Sequence, residues 1–559
     1  MYLGIDVGGT FTDGVIINNG KIIEALKVPT YPQLTRSITE VLTKILTGKD
    51  PHEVKRIVLS TTIVTNLIAQ GKQETVGLVL LPGPGVKPER LSFAGPIAII
   101  DGAVDYRGRL LKELNIEQLI QAVQVYVQQG ITKIVVACKF SQRNNKLEQE
   151  AVRFLSDRFP QIEFMGSYKV SGLLNWVRRA NGAVYTLATR TAYDSFVQEV
   201  TRSLAELGLS CPIQVLKADG GTLPLDVSLA YPLEALYSGP AASALGALAT
   251  NEKDLTAVVM DIGGTTTDLA LILEGVPLLT ERGAFLQGHP IPVRALAVSS
   301  VPLGGDNALE LVNGELVLGE RKGPAMCLDG PRLTFTDLMV YQGYSELPLT
   351  DKTRVAIREL AAKLGKIPED LINSVIDKFI SILEVKQEEM FSAWEEEPAY
   401  RIWQVLNKRW KRPNLLICQG GPAKGLGQIW ASKKGWRVRV SPYAHVANAL
   451  GAALARNTFK LEYIADTELL TYTTNIGGRQ GKLTQKLASL AEAKTSAQDL
   501  FASIAEEWGM ELAEEPELLY EESFNIVRGW STTGKIMQIG LQIPPGLGEN
   551  LAEVVVSHE

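Results

Sequence analysis

GIDVGGTFTD (residues 4–13) and DIGGTTTD (residues 261–268) decide the fold of this 559-residue chain. Both carry the pattern D-x-G-G-T-x-T-D. Asp6, Gly8, Gly9, Thr10, Thr12 and Asp13 recur as Asp261, Gly263, Gly264, Thr265, Thr267 and Asp268, at a constant offset of 255 residues. One D-x-G-G-T is weak evidence, because glycine turns join strands in many proteins. Two copies sharing these identities, each in the same context, mark a duplicated domain core rather than a short tandem repeat.

The context extends outward from the loops. Tyr2–Val7 and Val258–Ile262 are apolar runs that read as buried strands. A second run follows each loop, at Gly14–Ile17 and Leu269–Leu273, and then a third, at Ile22–Val28 and Pro277–Leu279. This predicts an antiparallel meander in each half. In the first half Ile57–Ser60, Thr75–Leu81 and Lys133–Lys139 read as further strands. Gln33–Leu46, Ile116–Gln128 and Lys146–Asp157 read as helices. Such alternation predicts a largely parallel sheet continuing the meander.

The second half is read as beginning near the strand Ile213–Leu216, with Ser238-Gly239-Pro240 opening an Ala-rich helix before the second loop. Residues 276–333 are rich in Gly and Pro and read as an insertion. Leu371, Val375, Phe379 and Leu383 form a helical core stripe. Leu415–Cys418 reads as a strand running into Gly420-Gly421-Pro422-Ala423, and Ala444–Leu454 as a helix of small residues. Beyond 457, a helix (Ala488–Glu507) and two strands (Ser523–Arg528, Lys535–Gln542) predict a small α+β appendage. The expected division is 1–170, 171–456 and 457–559.

Composition narrows the function classes. Charged residues are 21% and hydrophobic ones 45%, an ordinary globular balance. With 56 Lys and Arg against 62 Asp and Glu, the net charge is −6, which argues against a nucleic-acid surface. No secretory signal is visible, and no uninterrupted apolar stretch reaches the ~18 residues of a membrane span. Cys138, Cys211, Cys327 and Cys418 are scattered without a CxxC pair, and His52, His289, His445 and His558 are isolated. These features predict a cytoplasmic protein without a disulfide framework or a histidine–cysteine metal centre.

Paired glycines in a tight turn let the backbone approach an anion and offer it N–H groups. Thr10 and Thr265 add hydroxyl donors. Asp6 and Asp261 close their strands, where carboxylates can hold magnesium directly or through water. Two such loops facing each other would grip one polyphosphate from both sides.

The order of motifs resembles the actin, heat-shock chaperone and sugar kinase ATPases. Residues 6–13 and 261–268 resemble the two phosphate motifs. Ser238–Ala249 and Ala444–Ala455 resemble the connecting helices, and Gln419–Ala423 the adenosine motif. The fold class implied is α/β: duplicated actin-like (ribonuclease H-like) lobes facing a nucleotide cleft, with a C-terminal α+β appendage. The implied nucleotide set, for ATP and Mg2+, is Gly8, Gly9, Thr10, Thr12, Gly263, Gly264, Thr265, Thr266, Gly420 and Gly421. Asp6 and Asp261 are implied as the catalytic, metal-side pair.

Within that group residues 1 to ~456 resemble the hydantoinase A/5-oxoprolinase family. The resemblance rests on GIDVGGTFTD, on Ser60-Thr61-Thr62 with Thr65-Asn66, and on Ser141-Gln142-Arg143-Asn144. It rests also on Asp219-Gly220-Gly221, Ser238-Gly239-Pro240-Ala241 and Thr336-Asp337. Substrate-side candidates are Thr61, Thr62, Asn66, Asp219 and Asp306. The resemblance implies ATP-dependent opening of a cyclic amide such as a hydantoin or 5-oxoproline, through phosphorylation of the carbonyl oxygen. A small-molecule kinase or ligase, and an ATP-driven subunit acting on a partner protein, stay open beside it, as does a homodimer. The chain departs from the family where an aspartate and a histidine are expected: Ala297 and Ser299 stand there, and Asp306 replaces the third glycine of the following turn.

Overall fold

The computed structural model describes residues 1–280, 283–345, 347–396, 412–512, 514–548 and 551. The chain opens as β1 (Tyr2–Val7), β2 (Phe11–Asn18) and β3 (Lys21–Pro29), an antiparallel meander in which Asp6 faces Asp13 and Asp13 faces Lys27. Helix α1 (Leu34–Ile45) lays Ile38, Val41, Leu42 and Ile45 on this meander. Gly14 is the strand residue that lets it approach: a Cβ there would lie 2.3 Å from Val41 Cγ1. β4 (Arg56–Thr61) then pairs parallel with β1.

Further strands follow. Val76–Leu81 (β5), Ile97–Ile99 (β6), Lys133–Cys138 (β7) and Glu163–Gly166 (β8) build a parallel sheet of their own, in the order β8-β7-β5-β6. The expectation that the meander sheet would continue through them is therefore corrected. Both faces of β5 and β7 are buried, so neither has the one-sided pattern of a strand placed against a single layer. The long helix α2 (Trp176–Glu206) covers this sheet, capped by Asn175, whose carboxamide oxygen accepts from the Arg178 N–H.

A second correction concerns Ile213–Leu216. This strand (β9) pairs parallel with β4, and Thr222–Pro224 (β10) follows it at the edge. The first sheet runs β10-β9-β4-β1-β2-β3, so its chain extends to residue 224 rather than 170. Helix α3 (Ser238–Ala249) leads to the second sheet. There β11 (Ala257–Ile262), β12 (Thr267–Leu273) and β13 (Val276–Pro277) repeat the meander. Val298–Val301 (β14) pairs antiparallel with the start of β12. After the helix α4 (Pro368–Glu395), β15 (Leu415–Gly420) and β16 (Arg437–Val440) extend the sheet in parallel from β11.

The two sheets meet across α3 and α5 (Ala447–Leu454). On one side α3 packs with Val58 and Leu216 of the first sheet, and on the other with Val259, Ile272 and Ile417 of the second. α5 packs with Val15 and Ile17. The crossing is at backbone distance. A Cβ on Gly246 would lie 2.2 Å from the Ala447 carbonyl oxygen, one on Gly451 2.1 Å from that of Ala242, and one on Gly4 2.0 Å from that of Ala449.

Among its described residues the C-terminal segment holds five strands where two were expected. Lys460–Asp466 (β17), Thr471–Thr474 (β18), Gln480–Lys482 (β19), Glu517–Arg528 (β20) and Ser531–Gln542 (β21) form one antiparallel sheet in the order β19-β18-β17-β21-β20, backed by α6 (Leu490–Glu507). No described helix is long and apolar enough to cross a membrane, and the four cysteines are free.

Replacing Gly451 by Val should destabilise the protein by at least ~2 kcal/mol, because neither helix backbone can give way. Gly421→Ala, with nothing within 4 Å of its Cβ position, is the matched control. Denaturant unfolding of the two variants checks this.

Candidate active site

A cleft of about 2300 Å³ lies between the two glycine hairpins, and it collects most of the residues singled out from the sequence. The hairpins fold alike. Gly8 N–H donates to the Phe11 carbonyl at 3.0 Å, and Gly263 N–H to that of Thr266 at 2.9 Å. Gly8, Gly9, Thr10, Gly263, Gly264, Thr265 and Thr266 all line the cleft. The loops nearly touch: a Cβ on Gly264 would lie 3.3 Å from Thr10 Oγ1 and 2.7 Å from Asp306 Oδ2.

Four carboxylates stand on the floor, Asp6 and Asp13 buried and Asp261 and Asp268 half-buried. Asp6 faces Asp13 across β1 and β2, and Asp261 faces Asp268 across β11 and β12. Burial pushes Asp6 up to about 7, with Asp13 and Asp261 adding repulsion and a Ser60 hydrogen bond opposing it. Burial also raises Asp261. It lifts Asp268 to about 7 and Asp13 to about 6, the latter held back by Lys27. Asn448, in the first turn of α5, joins the two halves. Its amide donates to Asp261 Oδ2 at 3.0 Å and to Asp6 Oδ2 at 3.4 Å.

Other expected residues divide. Gly420 and Gly421 line the cleft at the end of β15; Gly420 has φ +90° and no room for a side chain against the Ile262 carbonyl. Met339, Tyr344, Met390 and Trp394 form an apolar wall on the same cleft. Thr61, Thr62 and Asn66 also line it. They are already engaged: Thr62 Oγ1 donates to the Val7 carbonyl at 3.1 Å, Asn66 donates to Thr62 Oγ1 at 3.0 Å, and the Thr61 N–H donates to Ser238 Oγ at 3.2 Å. Asp306 borders the second loop, its N–H donating to the Gly264 carbonyl at 2.7 Å and its carboxylate accepting from Arg321 at 3.2 Å.

Two expectations are not met. Thr12 is fully buried off the cleft wall, its hydroxyl 2.9 Å from that of Thr30. Asp219 is buried in its own turn, accepting from the Gly221 N–H at 3.0 Å and from Lys217 at 3.4 Å. Asp219 satisfies the backbone of its own turn and Thr12 bonds a side chain just past the neighbouring strand, uses that a motif cannot distinguish from ligand contact.

Among the cleft residues outside the predicted set are Asp13, Asp268, Lys27 and Asn448. The repeat itself contains the two aspartates, and strand alternation places each beside its partner. Nothing local marks Lys27 or Asn448. Ala297, Ser299 and Ser300 also line the cleft, so the departure read from the sequence falls on its wall. His445 lines it too, its pKa lowered by burial and by Lys27. His289 pairs instead with Ser92 at 2.9 Å, and His558 lies outside the described residues. Among the described residues no group of three or more His, Cys, Asp and Glu could hold a metal ion by itself.

Residues 2–159 match the family model for the hydantoinase/oxoprolinase N-terminal region, and residues 179–460 match the hydantoinase/oxoprolinase model. The chain belongs to the hydantoinase/oxoprolinase family. Curated relatives of this family member include an uncharacterized protein of Methanocaldococcus jannaschii, 23% identical over 67% of the chain and 62% of the relative. The caprolactamase subunit alpha of Pseudomonas jessenii is 24% identical over 61% of the chain and 54% of its own length. The acetophenone carboxylase gamma subunit of Aromatoleum aromaticum is 23% identical, over 71% and 60%. The chain thus spans less than two thirds of each. Among solved structures, nucleotide-free acetone carboxylase superposes with a TM-score of 0.72 at 17% identity, covering 99% of this chain and 88% of that one. The ATP-dependent caprolactamase of Pseudomonas jessenii gives 0.66 at 18%, covering 97% and 87%. The fold is shared with both.

The raised carboxylates set a pH dependence. Asp268 holds its proton to about pH 7 in the native cleft, but only to about 4 when unfolded. Its ionisation therefore costs stability, with no cost below about pH 4 and the full cost above about pH 7. Asp268→Asn should raise the melting temperature of the ligand-free protein clearly at pH 8 and hardly at pH 4. Thermal unfolding at the two pH values checks this; equal shifts at both would contradict it.

Proposed function

We propose that this protein is an ATP-dependent enzyme that activates the carbonyl group of a small cyclic amide by phosphorylation and so opens the ring. The observation that carries this reading is the pair of matched Asp-Gly-Gly-Thr hairpins. They face each other across one cleft, with Asp6 and Asp261 joined by Asn448. Family membership, and the likeness of the fold to the ATP-dependent caprolactamase, support it.

Magnesium fits the donor set. The ion favours one or two carboxylates, several waters and phosphate oxygens over an all-protein cage. Asp6 and Asp261 provide such a pair, and their unfavourable burial is what a cation would offset. When bound, it would neutralise charge on the phosphates.

In this reading the backbone N–H groups of Gly9, Thr10, Gly264 and Thr265 cradle the phosphates, and Gly421 with the wall of Met339, Tyr344 and Trp394 receives the adenosine. The substrate carbonyl oxygen attacks the γ-phosphorus, and ADP leaves. Water adds to the activated carbon, the ring C–N bond breaks with a proton passing to nitrogen, and a second water releases phosphate. The lobes contribute positioning, electrostatic stabilisation and exclusion of bulk water.

A second reading is an ATP-driven subunit acting on a partner protein. Ala297 and Ser299 favour it, because neither brings a carboxylate or an imidazole to hold a metal or transfer a proton. Relatives named as subunits point the same way.

ADP release should be stimulated by at least one member of a panel of lactams, hydantoins and 5-oxoproline, with the ring-opened acid detected by mass spectrometry. Asp6→Ala and Asp261→Ala should each lower turnover on the order of 100-fold or more. Turnover that survives both substitutions overturns the site assignment. ATP hydrolysis that answers only to an added protein favours the second reading.

A further inference from the structure

The duplication contains its own comparison. On the first sheet a lateral row crosses three strands: Asp6 on β1, Asp13 on β2 and Lys27 on β3. On the second sheet the matching row is Asp261 on β11, Asp268 on β12 and Ser300 on β14. The first two places are identical. In the third, one copy has an ammonium group and the other a hydroxyl.

The Lys27 ammonium sits 2.7 Å from Asp13 Oδ1 and 2.8 Å from Oδ2, but its hydrogen bond goes to Oδ2 alone. Oδ1 is buried and lacks a hydrogen-bond partner among the described residues. The lysine is not locked in place: its side chain is 34% exposed, against 10% for Asp13, and it lies over the Phe11 ring at 5.2 Å. Its charge lowers the pKa of both Asp261 and His445. Among the described residues, the only other Lys or Arg lining the cleft is Lys424, in the helix that follows Gly421.

A nucleoside triphosphate carries about four negative charges into a chamber whose floor is four aspartates. A magnesium ion offsets only two of them. A compact ammonium on a flexible stem, beside the first phosphate loop, is the group that can follow the ligand. We propose that Lys27 is the phosphate-contacting cation of this cleft: it neutralises Asp13 while the cleft is empty and turns to a terminal phosphate oxygen when magnesium nucleotide enters. This rests on the nucleotide reading above. It assigns the polarity of the site as well, because the phosphate end of the ligand must lie toward β3 rather than toward Ser300.

Calorimetric titration of the full chain with the magnesium complex of a non-hydrolysable ATP analogue, and separately with adenosine, tests it. Lys27→Ala and Lys27→Met should weaken the analogue by about tenfold or more and leave adenosine within about twofold of the parent protein. Lys27→Met keeps the packing on Phe11, and adenosine binding reports an intact cleft. Lys27→Arg should restore analogue binding to within about threefold, since charge is what counts. Unchanged analogue affinity in Lys27→Met overturns the proposal, and so does a parallel loss of adenosine affinity in both variants. If the parent protein binds neither ligand, the nucleotide reading itself falls.

Discussion

Everything in the cleft depends on two helices crossing without side chains between them. Gly246 of α3 and Gly451 of α5 leave backbone against backbone, and Gly4 lets the same helix lie on β1. This contact sets the spacing of the two sheets, and therefore of the two hairpins. It also aims the first turn of α5 into the gap, which is how Asn448 comes within reach of a carboxylate from each hairpin. A bulkier crossing would part the aspartates and leave the amide with one partner or none.

The carboxylates explain why such rigidity is useful. Desolvation pushes all four aspartates toward their neutral forms, and a neighbouring carboxylate raises Asp6, Asp13 and Asp268 further. The cleft thus holds an electrostatic strain that positive charge relieves. A scaffold able to spread apart would relieve it by opening. This one cannot do so freely, so the strain remains available to favour a cation-bearing ligand.

The sequence made the meanders and the duplication legible, because an eight-residue pattern recurred between apolar runs of strand length. It also showed the small residues of both crossing helices. It did not show that Ile213–Leu216 pairs with β4, since parallel pairing across a long helix leaves no local trace. The same blindness split β5 and β7 into their own sheet and hid three short strands of the C-terminal segment. Most residues of the repeat line the cleft, while Lys27 and Asn448 reach it only through register and helix crossing. Thr12 and Asp219 lie off the cleft wall, because Thr12 bonds Thr30 just past the neighbouring strand and Asp219 closes its own turn.

Two copies of one hairpin, set face to face, make a chamber with two alike sides. A ligand with a head and a tail would enter such a chamber in two orientations of similar energy, and half of those encounters would be unproductive. The third place of each aspartate row breaks this degeneracy, with lysine on one side and serine on the other. So does the strand beside each first strand, which ends in Ser60-Thr61 on one sheet and in Gly420 on the other. Divergence at a few positions has turned an ambidextrous socket into a handed one.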